Sequence, residues 1–172
     1  MKLYENTIKE TLIYNGNYLD IINVEVELPN GNKSNRDIIK HPGACAIIAF
    51  LDETSIILLE QFRKPLERNI LEIPAGKLNK NEEPLLCAHR ELEEETGYKA
   101  KDMTYLGSIA TAPGFCDEII HLYKATNLYK GTKSCDEDEF TEVKFFTLDE
   151  VKNMIKQGEI IDTKTISILA YL

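Results

Sequence analysis

Acidic side chains crowd one predicted helix, and their spacing favours the binding of divalent cations. The helix is expected over residues 84–96, and Glu91, Glu94 and Glu95 within it stand at i, i+3 and i+4. Side chains at that spacing share one helix face, where ionised carboxylates repel one another unless a cation neutralises them. A solvated acidic face is the ordinary alternative. Three packed carboxylates beside Arg90 favour Mg²⁺, which prefers oxygen ligands and shares them with substrate phosphates.

The residues around this helix resemble the Nudix box, G-x5-E-x7-R-E-U-x-E-E-x-G-U, in which U is a bulky aliphatic residue. One position departs, because Tyr98 stands at the last U, a structural position in that family. Nearly the whole chain is similar to the ADP-ribose pyrophosphatase branch of the Nudix hydrolases. The positions that match the box are Gly76, Glu82, Arg90, Glu91, Glu94, Glu95 and Gly97, with Leu92 at the first U.

The resemblance implies a Mg²⁺ cofactor, with Mn²⁺ as a substitute. It implies that Glu91 and Glu95 are the principal ligands and that Glu94 supports or shares a metal. The backbone carbonyl of Ala75, just before the box glycine, is expected to bind metal as well. Arg90 is expected to orient the glutamates.

Besides Tyr18 of the N-terminal segment, five residues outside the box are predicted to contact substrate. Arg63 and Glu72 resemble an arginine and a glutamate that do so in this branch, although a surface arginine and an exposed strand residue are the plain alternatives. Arg36 is a weaker match, although an arginine is apt there because its guanidinium can bind phosphate bidentately. Pro113, sixteen residues beyond the last box glycine, resembles a mark of ADP-ribose pyrophosphatases, although an ordinary loop proline is the plain alternative, and Gly114 follows it in the same loop.

A second acidic run covers residues 136–139. In the resembling family a loop at this point carries a glutamate that activates water and in some members binds another metal. Glu139 is the first choice for that role, as catalytic base and metal ligand, and Glu137 is the second. A solvated loop is the ordinary interpretation of such a run.

Composition excludes several other classes of function. The chain has 172 residues, enough for one domain with a small N-terminal extension. Its formal net charge of −9 opposes binding to nucleic acid, although divalent cations can still join an acidic protein to an anionic substrate. The first residues lack the apolar segment of a signal peptide, and no apolar run has the length of a membrane span. We therefore expect a cytoplasmic protein that does not bind membranes.

The elements that must position these residues form an α+β pattern. Three strands over residues 7–14, 18–28 and 34–40 predict an antiparallel N-terminal meander within residues 1–40. The apolar run 44–51 predicts a strand buried on both faces. Residues 41–172 are expected to form the hydrolase domain, and the resemblance implies an α/β/α sandwich around a mixed sheet. On the box helix, Leu85, Ala88 and Leu92 are expected to face the core.

The meander is predicted to be a dimer contact, because three short strands bury little apolar surface by themselves. In the resembling branch this segment exchanges between two subunits that build the active site together, so we expect a homodimer. Tyr18 lies near the place where an aromatic residue of that branch stacks on adenine. An ordinary strand aromatic is the equal alternative.

The favoured function is hydrolysis of the diphosphate in ADP-ribose to AMP and ribose 5-phosphate, with Mg²⁺ bridging the phosphates and a loop glutamate activating water. A pyrophosphatase for another nucleotide sugar, such as GDP-mannose, is the first alternative. A Nudix domain that senses a ligand without catalysis is an alternative of another class, which the full set of acidic box residues disfavours.

Overall fold

The computed structural model describes residues 3–135 and 140–172. The chain folds into two compact units. Unit 1 comprises residues up to Gly43 together with Ala110–Ile119, and unit 2 comprises Ala44–Ile109 together with Ile120–Leu172.

Unit 1 is built on three antiparallel strands, β1 (Asn6–Asn15), β2 (Asp20–Glu27) and β3 (Lys33–Lys40), which confirms the predicted meander. Alternate residues of the second half of β2 are buried, while β1 is exposed along its whole length. The 110–119 segment lies along β3, where Ile39 N donates to Phe115 O at 2.7 Å. This contact explains why a segment distant in sequence belongs to the N-terminal unit.

Unit 2 contains a seven-stranded mixed sheet. Strand order is β10-β5-β4-β9-β8, with β6 paired to β5 and β7 to β4. The β4 and β9 strands run parallel, whereas the pairs that β5 and β7 make are antiparallel. The strands are β4 (Ala44–Phe50), β5 (Ser55–Arg63), β6 (Arg68–Glu72), β7 (Ala75–Lys77), β8 (Tyr98–Ala110), β9 (Ile119–Lys130) and β10 (Thr141–Thr147).

Three α-helices accompany this sheet in the described part of the chain: α1 (Pro84–Thr96), α2 (Leu148–Gln157) and α3 (Thr163–Ile168). Proline at the first position of α1 loses no hydrogen bond, and Gly97 ends the helix at φ 72°. Single 3-10 turns cover Lys64–Leu66 and Leu169–Tyr171. Among the described residues, the helices are too short or too polar to span a bilayer.

The central strand β4 is buried at every residue, and its alternate side chains face two different cores. Cys45, Ile47 and Ala49 pack in one cluster with residues of α1, whereas Ala46 and Ile48 pack in another with residues of α2 and α3. Helices therefore cover both faces of the sheet, which confirms the predicted sandwich.

One predicted core position is wrong. Leu85 is 44% exposed, whereas Ala88 and Leu92 are fully buried as expected. The buried face of α1 instead includes Cys87 beside Ala88, together with the carboxylate-bearing Glu91 and Glu95. The helix thus turns two of its acidic residues toward the protein interior.

Candidate active site

Arg90 joins three acidic residues of the α1 region. Its Nη1 donates to Glu91 Oε1 at 2.6 Å and to Glu94 Oε2 at 3.0 Å. Its Nε and Nη2 donate to the two carboxylate oxygens of Glu82 at 2.8 and 2.9 Å, and Nη2 also reaches Lys77 O. Arg90 thus contacts all three glutamates, and its role in orienting metal ligands stays a prediction.

The same contacts shift the ionisation of both partners. The hydrogen bonds from Arg90 lower the pKa of Glu82 from 4.5 to about 2. The hydrogen bonds to Glu82, followed by the charge of Glu91, raise the pKa of Arg90 above its ordinary value, although burial opposes the shift. Glu82 is consequently a permanent carboxylate at neutral pH, and it balances a guanidinium that also contacts Glu91 and Glu94.

Strand β7 packs closely against the buried carboxylates of α1. Ala75 N donates to Glu95 Oε2 at 2.9 Å. A Cβ atom added at Gly76 would lie 1.9 Å from both Cδ and Oε1 of Glu91. Glu91 is 8% exposed and Glu95 is 3% exposed, so both carboxylates are held in a confined space beside this strand.

The donor chemistry of this region fits a divalent cation in part. Glu91 and Glu95, one helical turn apart, supply hard oxygen atoms, and the carbonyl of Ala75 belongs to the adjoining strand. In the described part of the chain, however, no three acidic, histidine or cysteine side chains converge closely enough to hold a metal. The site formed by the three carboxylates of Glu91, Glu94 and Glu95 therefore stays a prediction. Fewer protein ligands can suffice, because Mg²⁺ typically completes its coordination shell with water and substrate phosphate.

Arg63 and Glu72 meet in a bidentate ion pair in the same unit. Arg63 Nε and Nη2 each lie 2.8 Å from a different oxygen of Glu72. Glu72 is only 1% exposed, so it is not the exposed strand residue of the plain alternative. Burial alone would lower the pKa of Arg63, but its hydrogen bonds to Glu72 and the nearby charges of Asp162 and Glu95 raise it overall.

A lysine that sequence reasoning missed also contacts Glu72. Lys164 Nζ donates to Glu72 Oε2 and, at 3.0 Å, to Asp162 Oδ1. The only signal in the sequence was Asp162, a typical N-cap residue before the closing helix. Nothing in the sequence distinguishes a buried lysine from the many exposed lysines of this chain.

Three predicted substrate residues lie together in unit 1. Arg36, Pro113 and Gly114 line a cavity of about 500 Å³. The Arg36 fork is occupied by Glu5, with Nη2 and Nε at 2.6 and 3.1 Å from its two carboxylate oxygens. Its Nη1 donates to Ser34 Oγ and to Asn35 O, each at 2.9 Å, so substrate contact by Arg36 stays a prediction.

Tyr18 lies in a separate part of unit 1. It lines a cavity of about 340 Å³ and meets the His41 ring edge-on, with ring centroids 5.9 Å apart. The residue is more than half exposed, so its ring is accessible to a planar ligand. Its stacking role stays a prediction.

Glu137 and Glu139 lie outside the described residues. The chain just before them is attached to the C-terminal part of α1, because Ser134 N donates to Glu94 O at 3.0 Å. The thiol of Cys135 contacts the same carbonyl at 3.4 Å. The roles of Glu137 and Glu139 as base and metal ligand stay predictions.

The chain is similar to known proteins in both sequence and fold. The NUDIX domain model matches residues 40–167. A methanol dehydrogenase activator of Bacillus methanolicus is 51% identical, covering 99% of this chain and 94% of the relative. An ADP-ribose pyrophosphatase of Bacillus subtilis (strain 168) is 49% identical, covering 99% and 93%. A crystal structure of an ADP compounds hydrolase shares the fold, with TM-score 0.87 at 20% identity, covering 99% of this chain and 94% of that one.

Proposed function

This chain belongs to the Nudix hydrolase family, and from that premise we propose that it hydrolyses ADP-ribose to AMP and ribose 5-phosphate with Mg²⁺ as cofactor. The observation that carries the proposal is the placement of Glu91 and Glu95, both buried beside the Ala75–Lys77 strand, with Glu91 oriented by Arg90. The relative at 49% identity, which bears the name ADP-ribose pyrophosphatase, supports the choice of substrate.

The carboxylates of Glu91 and Glu95, the carbonyl of Ala75 and, in a shared role, Glu94 would hold the metal. When bound, a divalent cation would neutralise charge on the diphosphate and lower the pKa of a coordinated water. Arg90 keeps the carboxylates of Glu91 and Glu94 in place, since it donates to both. A glutamate of residues 136–139 would accept the proton of the attacking water, with Glu139 the first candidate and Glu137 the second.

Arg63 is the candidate for binding a charged or polar group of the substrate. Glu72 takes its Nε and Nη2 on one edge, and among the described residues none accepts a hydrogen bond from Nη1. The side chain is 42% exposed, so a ligand can reach it. Glu72 acts in this proposal through Arg63, because both of its oxygens are already bonded. Arg36, Pro113 and Gly114 of unit 1 stay predicted substrate residues.

The exposed β1 strand supports a homodimer. Its ten residues are all exposed and include Ile8, Leu12 and Ile13, while unit 1 buries few apolar side chains of its own. An uncovered apolar edge strand is a site for pairing with another chain. Light scattering should give twice the 19.6 kDa chain mass. A truncation of residues 1–40 that remains dimeric and fully active would contradict this role of the meander.

A substrate panel tests the proposed reaction. Initial rates with Mg²⁺ would be compared for ADP-ribose, GDP-mannose, NADH and a dinucleoside polyphosphate, with products separated by ion-exchange chromatography. The proposal predicts that kcat/KM is highest for ADP-ribose. A higher value for GDP-mannose would move the assignment to that nucleotide sugar. Ligand binding without turnover of any compound would favour a sensing domain.

The relative at 51% identity supports a second candidate function, the activation of a methanol dehydrogenase. The chain would be added to a purified methanol dehydrogenase, and the rate of alcohol oxidation would be followed with and without Mg²⁺. A parallel assay with Glu95→Gln asks whether stimulation requires the candidate hydrolytic site. Absence of stimulation at equimolar protein would reject this candidate and leave ADP-ribose hydrolysis unaffected.

A further inference from the structure

A polar network on α3 contacts Glu72 and Ile73, at the end of β6 and just before the candidate site. The helix is capped by Asp162, whose Oδ2 accepts from the backbone N and the hydroxyl of Thr165 at 3.0 and 2.6 Å. Its other oxygen accepts from Lys164. Asp162 thereby fixes the side chains of both residues, and each of them contacts the chain just before the box glycine.

Lys164 contacts the same carboxylate that pairs with Arg63. Glu72 lies between the two cations, each of which donates to it, and both Glu72 and Lys164 are buried. With Asp162 included, the cluster has two positive and two negative charges and is neutral. Without Lys164, the carboxylates of buried Glu72 and partly buried Asp162 would face a single guanidinium, and the positive potential that Arg63 offers to an anionic ligand would fall.

Thr165 supports the next residue of the same segment. Its Oγ1 accepts from Ile73 N at 2.9 Å while donating to Asp162. Two residues later, Ala75 N donates to Glu95 Oε2. The Thr165 hydroxyl therefore fixes the chain two residues before Ala75, whose strand also pairs with β4.

We propose that Lys164 and Thr165 are positioning residues with separate tasks, an inference that rests on the proposed function. Lys164 positions and electrostatically supports Arg63 through Glu72, and thereby sets affinity for the substrate. Thr165 positions Ala75 and Glu95 through Ile73, and thereby sets affinity for the divalent cation. Two adjacent residues of one short helix thus act on two different binding events.

The Lys164 arm is tested with Lys164→Met and with Lys164→Gln, which keeps a donor for Glu72 without the charge. In Lys164→Met, KM for ADP-ribose should rise roughly tenfold because affinity for the substrate falls by that factor. The value of kcat should change less than twofold. Calorimetry of ADP-ribose binding without metal should show the same loss of affinity. Exposed Lys152→Met is the matched control and should leave KM unchanged.

The Thr165 arm is tested with Thr165→Val, which removes the acceptor for Ile73 N, and Thr165→Ser, which retains it. Binding of Mn²⁺ alone, followed by the EPR signal of the free ion, should weaken about tenfold in Thr165→Val, the lower end of losses seen for residues that orient metal ligands. Thr165→Ser should bind Mn²⁺ within twofold of the wild type.

If the two residues had a purely structural role, the substitutions would lower the melting temperature. They would not weaken substrate binding selectively in the Lys164 variants and Mn²⁺ binding selectively in Thr165→Val. Unchanged ligand and Mn²⁺ affinities in the variants that fold would overturn the proposal, as would equal effects of both substitutions on both constants. If Lys164→Met does not fold, Lys164→Gln decides that arm. Failure of the wild type to hydrolyse ADP-ribose would reject the proposed function alone, because Mn²⁺ binding still tests the Thr165 arm.

Discussion

Gly76→Ala places a methyl group where the candidate metal ligand Glu91 now lies. The added Cβ would stand 1.9 Å from the Glu91 carboxylate, and ordinary contact begins near 3.4 Å, so the carboxylate must move by about 1.5 Å. Gly76 is not among the glycines with positive φ, so space is the constraint. Metal–ligand distances tolerate deviations of roughly 0.2 Å. The hydrogen bond from Arg90 Nη1 to Glu91 Oε1, at 2.6 Å, also opposes the displacement.

We expect Gly76→Ala to lower kcat/KM for ADP-ribose by about 100-fold, the cost of a misplacement of about 1 Å in an active site. Overpacking should destabilise the fold by about 1–3 kcal/mol. Activity would be measured over a Mg²⁺ titration and stability by urea unfolding, since a displaced ligand raises the Mg²⁺ concentration needed for half-maximal rate.

Gly31→Ala is the control. Its Cβ meets nothing within 4 Å, but the position has φ 84°, so the substitution costs about 1–2 kcal/mol without touching the candidate site. Activity should be retained at a similar loss of stability. Wild-type rate and Mg²⁺ dependence in a folded Gly76→Ala would refute the argument that Glu91 occupies a confined, functional position.

The remaining predictions concern individual carboxylates. Glu95→Gln should lower turnover about 1,000-fold while the fold survives, because metal stabilisation is worth several kcal/mol; near-wild-type rate at saturating Mg²⁺ would contradict the metal role. Glu139→Gln or Glu137→Gln should lower kcat about 100-fold or more with little change in KM, and full kcat in the double variant would remove the loop from the mechanism. Because its folded-state pKa is lowered to about 2, Glu82 contributes stability that is present above pH 4.5 and lost as the pH falls toward 2. Urea unfolding at pH 7 and pH 3 should therefore show a smaller difference for Glu82→Gln, and an unchanged difference would exclude Arg90 as its stabilising partner.

Local sequence signals predicted α1 and the central strand β4. Pro84 and Gly97 bound α1 as expected, since a proline at the first turn and a glycine in the left-handed region are local requirements. The apolar run predicted β4 within one residue of its observed end at Phe50. These features depend on residues close together in the chain.

Long-range features were not predictable in the same way. The short strand β7 exists because it pairs with β4 at Cys45 and Ala46, and three residues carry no periodicity. The prediction of Leu85 in the core is wrong because helical spacing alone does not say which stripe meets the sheet. The contact of Lys164 with Glu72 joins residues that are 92 positions apart, and only the fold brings them together.

The most direct test of the central claim is product analysis of ADP-ribose hydrolysis in water enriched in ¹⁸O. The purified wild-type chain with Mg²⁺ should release AMP and ribose 5-phosphate in equal amounts, with one ¹⁸O atom in one of the two phosphates. Removal of metal by EDTA should abolish the reaction, and the Glu95→Gln substitution should slow it about 1,000-fold. Release of AMP at an equal rate without metal, or by Glu95→Gln, would contradict the account, as would an intact substrate in the presence of the wild type.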